Sequence, residues 1–453
     1  MVFYKDESLD GLAKKGNVAQ FVSFRPEPDG SLQQRFSRVA GFEPNHTFAS
    51  VEEAVATLIR ASSELSVNIR SFEPDDPRSK EFVYGLKTVG DVLSNLKRLG
   101  QAGLFLIINE TIDVSDGGVS GVVQGGVMEF APDDTPRCVE KPGVASLPFD
   151  LGMRLLETVY GFRPELDLAA NERIEFSVHP RIRGWRQTQT LTWERESGFE
   201  AKADARMSWP NRFSRHLGDK AFGLLIAHEL GFAVPRTLAI SRRVAPFLFG
   251  QGTGNAEVWL RTCPVTPQPG RFTTIKGWTD PFALLASEDT DGLEIASVLS
   301  QAAIPAKYSG AVIVGGNGEL IVEGRKGEGD RLMLGLDLPE TLPESVTADV
   351  RTTFERLSTL LGAVRFEWVH DGSRVWIVQL HRGATGTYGS VLVPGNAERW
   401  ERIDAAMPLE EIRASIARLD KGIGLEIVGD VGLTSHIADV VRKAGRPARL
   451  APT

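Results

Sequence analysis

A histidine set between a short apolar run and an amphipathic segment is the first place where this sequence can do chemistry. Residues 425–428 suit a buried strand, Thr434 or Ser435 can cap a helix, and Gly445 with Pro447 ends it. His436 then lies in the first helical turn. Unpaired backbone N–H groups and the positive end of the helix dipole disfavour the imidazolium there. The ring is thereby kept neutral and nucleophilic, and the same groups welcome a phosphoryl group. On position alone, a polar residue at the start of a packing helix is an equal reading.

A second candidate is Leu217-Gly218-Asp219-Lys220, which opens an apolar helix that Gly231 stops and Pro235 seals. A glycine turn followed by lysine lets backbone N–H groups and an ammonium approach phosphate. Arg261, Gln301, Glu323, Glu367 and Gln379 stand further along. Cleavage of a phosphoanhydride needs charge neutralisation and alignment, which Lys220 and Arg261 can supply. Glu367 and Gln379 can offer oxygen to Mg²⁺ from adjacent strands of one hairpin. On these residues alone, a surface helix start, a solvated strand residue and an edge amide stay open for Lys220, Glu367 and Gln379.

The order of these motifs adds to their types. Thr434-Ser435-His436-x-Ala438, followed by Arg442, Gly445 and Pro447-Ala448, resembles the phosphohistidine motif of the swivelling domain in the phosphoenolpyruvate synthase and pyruvate phosphate dikinase family. His436 falls on the phosphorylated position, and Gly432-Leu433 replaces the pair of small residues before it. Residues 215–383 resemble that family's ATP-grasp-type nucleotide domain. Lys220 matches the lysine of its opening segment, and Arg261-Thr-Cys its Arg-Ser-Ser. Gln301 to Ser309-Gly310, Ile321-Val-Glu323 with Gly327-Glu328-Gly329, and Phe366-Glu367-Trp with Trp376-Ile-Val-Gln379 match its later blocks.

The resemblance implies ATP and Mg²⁺ as cofactors. It places Gly218, Lys220, Arg261, Gln301, Glu323 and Gln379 at the nucleotide, Glu367 and Gln379 at the metal, and His436, Lys220 and Arg261 in the chemistry. The function implied is an ATP-dependent phosphotransferase that passes a phosphoryl group through His436 to an unidentified acceptor. An inactive nucleotide-binding or scaffolding module derived from the same family is the alternative. A ligase forming an acyl phosphate has no use for His436. Three departures bear on activity: Asp219 puts a negative charge beside the phosphate site, Thr262-Cys263 replaces a serine pair, and His381 stands where arginine follows the glutamine. Residues 384–453 are too few for the family's pyruvate-binding barrel, so the acceptor is expected elsewhere in the chain or on another protein.

The elements that must hold these residues alternate between helix and strand, which indicates an α/β or α+β protein. Helices are expected after Ser50 and from residues 88–99, 219–230 and 408–419, with strands near 104–108, 311–314 and 375–378. An internal duplication is also legible. Val67-Asn-Ile-Arg70 pairs with Val258-Trp-Leu-Arg261, Ser120-Gly121 with Ser309-Gly310, Val139-Glu140 with Val322-Glu323, and Arg173-Ile-Glu175 with Arg365-Phe-Glu367. The first copy has no glycine-lysine opening, and Asp113, Asp116, Asp133 and Asp134 oppose phosphate, so it is expected to be degenerate. The expected organisation is an unassigned segment 1–66, a degenerate copy 67–205, a nucleotide-binding copy 206–385, and a linker with a short swivelling-like unit 386–453.

Composition sets the remaining bounds. The 453 residues are 42% hydrophobic and 24% charged, with formal net charge −8. That balance gives no bulk attraction to nucleic acid or anionic membrane. No apolar run reaches membrane-spanning length and the start is not a signal peptide. Two cysteines, Cys138 and Cys263, exclude a disulfide scaffold and make the cytoplasm the default compartment.

Overall fold

Short apolar strands separated by amphipathic helices give a mixed α/β chain with five sheets, four of them antiparallel, among the described residues. The computed structural model describes residues 4–451 apart from 75, 77, 170, 199–203 and 267–273. The chain divides into two units, Met1–Met153 with Phe162–Arg206, and Arg154–Gly161 with Met207–Thr453.

The first unit opens with α1 (Lys5–Lys15) and the hairpin β1 (Phe21–Pro26) and β2 (Leu32–Arg38). Then come α2 (Val51–Ala61), β3 (Val67–Phe72), β4 (Ser79–Leu86), α3 (Val89–Gln101) and β5 (Phe105–Glu110). Ser50 and Thr88 cap α2 and α3, each accepting a backbone N–H three residues on. Leu58 and Leu96 from these helices join Val22, Phe24 and Ile69 in one core. The strand order is β2-β1-β5-β3-β4. A second sheet, β10-β9-β6-β7-β8, is built from β6 (Val119–Gln124), β7 (Val127–Pro132), β8 (Ala145–Pro148), β9 (Glu172–Arg183) and β10 (Thr188–Ser197). The helix α4 (Phe149–Tyr160) lies between β8 and β9 in sequence.

The second unit repeats this plan. After α5 (Arg212–Leu217) come α6 (Asp219–Glu229), β11 (Thr237–Ser241), β12 (Phe247–Phe249), β13 (Val258–Pro264), β14 (Thr274–Lys276), α7 (Pro281–Glu288) and β15 (Ile295–Ala302). Their order, β12-β11-β15-β13-β14, is that of the first sheet strand for strand. The next sheet, β17-β16-β18-β19, uses β16 (Tyr308–Val314), β17 (Leu320–Lys326), β18 (Val364–His370) and β19 (Val375–Arg382), with α8 (Asp330–Met333) and α9 (Glu344–Leu361) between β17 and β18.

A small sheet, β20-β23-β22-β21, completes the unit from β20 (Val391–Val393), β21 (Arg399–Asp404), β22 (Ile423–Val428) and β23 (Ala448–Leu450). Its strands β21, β22 and β23 run parallel. The crossovers this requires are α10 (Leu409–Ala417) and α11 (His436–Lys443). Leu425, Ile427, Ile412, Ile437 and Val441 form its core.

Register locates the duplicated residues. Arg70 faces Ile107 as Arg261 faces Leu299, and Glu175 faces Val122 as Glu367 faces Ala311. Two expectations are corrected here. The partner of Glu323 is Glu129, not Glu140: Glu129 pairs with Val122 as Glu323 pairs with Ala311, whereas Glu140 ends a 3₁₀ turn. The segment before Val67 is not separate either, because β1 and β2 hydrogen-bond into the first sheet, and α1 stands in sequence where α6 stands in the second copy. Cys138 and Cys263 are buried thiols, not joined in a disulfide. No helix among the described residues is long and apolar enough to cross a membrane.

Candidate functional site

Between the two antiparallel sheets of the second unit lies a cleft of about 510 Å³. Lys220, the second residue of α6, reaches it because that helix sits directly on the sheets. A Cβ at Gly223 would meet the Leu380 carbonyl oxygen at 2.2 Å, so only glycine permits this approach. At the start of the helix Gly218 has φ +92°, and a Cβ there would meet that of Cys263 at 2.6 Å. Gly218 therefore sets the helix against β13 and is not among the residues lining the cleft. Asp219 does line it, but its carboxylate accepts the Ser214 hydroxyl at 2.5 Å and burial pushes its pKa up. The carboxylate expected to oppose phosphate is thus engaged by α5.

Arg261 enters from β13, where its Nη1 donates to the Val378 carbonyl at 3.4 Å and lies 3.8 Å from Glu367. Its buried Nε has no partner among the described residues. Gln301, on central strand β15, is buried and donates to Thr237 at 3.4 Å. Glu367 and Gln379 are cross-strand partners on β18 and β19, and both face the cleft. Gln379 donates through Nε2 to His381 at 2.6 Å, which leaves its amide oxygen for another partner. His381 can accept because burial, then Arg365, push its pKa down to about 3 and keep it neutral.

His436 enters the same cleft from the small sheet. Its Nε2 lies 4.0 Å from Glu367 and its buried Nδ1 has no partner among the described residues. Burial lowers its pKa, and Lys220 and Arg261 act in the same direction against Glu367 and Asp439. The imidazole is therefore neutral at physiological pH.

Three devices fix it there. Ser435 caps α11 by accepting the Ala438 N–H at 3.3 Å. Arg442 donates to the Leu433 carbonyl at 2.8 Å, to Thr387 at 3.2 Å and to Asp439 at 2.5 Å. Glu323 accepts the Leu433 N–H at 2.9 Å and both the N–H and hydroxyl of Thr434 at 2.8 Å. Glu323, expected at the nucleotide, is absent from the cleft wall and instead clasps the histidine loop. Thr434 serves that clasp, and Ser435 is the cap.

Several cleft residues had no role in the sequence reading: Trp209, Trp259, Arg365, Asp439 and Lys443. Asp439 and Lys443 fall three and seven residues after His436, so helical periodicity alone would have put them on its face. Asp439, which burial alone would push up, is held below its usual pKa by Arg365 and Arg442. No group of three or more His, Cys, Asp or Glu suited to a metal exists among the described residues. The donor set still fits Mg²⁺, which binds through one or two carboxylates and keeps several waters, with Glu367 and the free oxygen of Gln379 as ligands.

No family model and no curated protein matches the sequence. Among solved structures, an ATP-grasp RimK domain protein from Sphaerobacter thermophilus aligns at 20% identity over 37% of this chain and 58% of its own, with TM-score 0.23. D-alanine–D-alanine ligase from Helicobacter pylori aligns at 12% identity over 36% and 51%, with TM-score 0.25. The macrocyclase MdnC from Microcystis aeruginosa, bound to precursor peptide MdnA, aligns at 12% identity over 51% and 86%, with TM-score 0.22. The chain thus spans between half and three fifths of the first two structures. Likeness at this level is partial, and the chemistry rests on the residues of the cleft.

Proposed function

We propose that the second unit is an ATP-grasp-like phosphotransferase module that binds Mg-ATP in this cleft and phosphorylates His436. One observation carries the reading: a neutral imidazole enters the same cleft as Lys220, Arg261 and Glu367. Trp209, Trp259, Ile304 and Met333 add apolar wall suited to a base, and the cleft volume lies within the range of small-molecule sites. The unpartnered Arg261 Nε is a donor awaiting an acceptor, which a phosphate oxygen satisfies.

Lys220 and Arg261 neutralise phosphate oxygens and align the chain for in-line attack. Glu367 and Gln379 would hold Mg²⁺, whose chemistry is to offset charge on those oxygens. The unprotonated nitrogen of His436 attacks phosphorus, and the bond from phosphorus to its bridging oxygen breaks. The electron pair leaves with the departing phosphate or nucleotide. The helix start beneath His436 then accommodates the added negative charge. A scaffold without transfer is the competing reading, favoured by His381 where arginine was expected.

Incubation with ATP labelled at the β- and γ-phosphates tests this. An acid-labile, base-stable adduct that His436→Ala abolishes is expected, together with ATP binding that Lys220→Ala weakens. ATP binding without an adduct under any condition favours the scaffold, and an adduct that survives His436→Ala reassigns the carrier.

A further inference from the structure

Gln301 is a buried amide in the cleft wall that the proposed transfer to His436 does not use. It lies on β15, the central strand of its sheet, with Thr237 of β11 and Trp259 of β13 as its direct cross-strand partners. The Thr237 hydroxyl donates its one proton to the Pro235 carbonyl at 2.7 Å, so towards Gln301 it can only accept. Gln301 therefore turns its Nε2 to Thr237, at 3.4 Å. Its Oε1 is left with no partner among the described residues, and it is not sealed off as the Arg261 Nε is. A buried acceptor in a cleft wall is satisfied by a donor on whatever fills the cleft.

The place of this acceptor identifies the donor. Trp259 stands two residues before Arg261 on β13, about 7 Å away by strand rise, and both line the cleft. Lys220 and Arg261 are where the phosphates belong, so Gln301, level with Trp259, lies at the base end. The Trp259 indole offers a flat surface to the ring there. The first copy has no such arrangement. Asn68 and Asn109 hold the register positions of Trp259 and Gln301, and Phe21 that of Thr237. Asn68 Oδ1 accepts the Gly85 N–H at 2.9 Å and the Thr111 hydroxyl at 3.1 Å, and Asn109 donates to the Glu110 carbonyl at 2.8 Å. Those amides are engaged within their own unit.

We infer that Gln301 selects the base of the bound nucleotide: its Oε1 accepts the exocyclic 6-amine of adenine. Held in that orientation by Thr237, it meets the 6-carbonyl of hypoxanthine or guanine as a second acceptor. Neither oxygen carries a proton to share, so a 6-oxo purine leaves both groups unsatisfied. The inference rests on the Mg-ATP reading and specifies which triphosphate the cleft takes.

The test is calorimetric titration of the full chain with Mg-ATP and, separately, Mg-ITP, whose base has the 6-carbonyl. ATP should bind about ten- to a hundredfold more tightly, the cost of one unsatisfied buried group. Gln301→Met keeps the length and removes the acceptor. It should weaken ATP about tenfold and bring the two nucleotides within about threefold of each other. Thr237→Val removes the partner of Nε2 and lets the amide turn its NH₂ to the cleft, so ITP should bind more tightly and the gap should narrow. Equal affinities in the native chain overturn the selection, as does a preference for ATP that persists in Gln301→Met. Should that variant not fold, Thr237→Val decides on the same ratio. A native chain that binds neither nucleotide removes the Mg-ATP reading itself, whereas binding without preference removes this inference alone.

Discussion

The two copies share strand order and register, yet they diverge where chemistry would occur. On the second sheet of the first copy, Arg173 faces Glu196 and Glu175 faces Glu194. The equivalent pairs in the second copy are Arg365 with His381 and Glu367 with Gln379. Three carboxylates have become one. Glu194 has its pKa raised by partial desolvation, then by its hydrogen bond with Glu196 and the charge of Glu175, so like charges crowd there. In the second copy the same places hold a neutral imidazole and an amide. On the first sheet, Arg70 is exposed while Arg261 is enclosed. The first sheet is thus copied strand for strand, while two substitutions on the second sheet exchange carboxylates for an imidazole and an amide.

The largest expected effect breaks or supports this contrast directly. Lys220→Ala and Arg261→Ala should each weaken ATP binding about ten- to a hundredfold by calorimetry, the scale of charge-assisted bonds. Lys5→Ala, at the start of α1 in the first copy, should change it by less than about twofold, within the range of neutral surface substitutions. Equal losses would mean that both copies bind nucleotide.

The shared scaffold makes a symmetric prediction. A Cβ at Gly121 would lie 2.0 Å from the Glu129 carbonyl oxygen, and one at Gly310 would lie 2.0 Å from that of Glu323. Alanine at either position should destabilise its unit by about 2 kcal/mol or more in denaturant unfolding. A large effect at only one position would show that the two pairs of sheets are held differently.

Glu323 sharpens the contrast further. Glu323→Gln removes the charge from three hydrogen bonds and should slow phosphorylation of His436 about tenfold, with faster amide exchange at Leu433 and Thr434. Glu129→Gln, at the same register position, should change stability by less than about 0.5 kcal/mol.

The smallest effect at neutral pH concerns His381. Its folded pKa of about 3 lies below the ordinary 6.5, so the unfolded chain binds more protons between those values. Stability from this residue is complete above pH 6.5 and is lost as pH falls toward 3. His381→Gln should flatten the acid limb of a stability curve, and an unchanged limb would show that the ring is not held neutral. The first copy, with Glu196 there, has no counterpart.

What the sequence disclosed was local or locked by register. The cap at Ser435 depends on residues three apart, and Glu367 with Gln379 on one hairpin. The clasp of Glu323 joins residues 110 and 111 positions apart, and no periodicity encodes that separation. The same is true of β1 and β2, whose place in the first sheet depends on pairing with β5 some 80 residues later. Asp439 was legible in principle, being on the helical face of His436.

The buried cysteines have a practical consequence. Cys263 is enclosed by Gly218 and Ser297 and its thiol is pushed up by burial, while Cys138 donates to the Ser120 carbonyl at 3.0 Å. Thiolate, not thiol, is what alkylating reagents capture. The native chain is therefore a silent background for labelling. A single cysteine in place of exposed Glu401 on the small sheet would carry a fluorophore or spin label alone, so that the environment of that sheet can be monitored as ATP is added without removing either natural thiol.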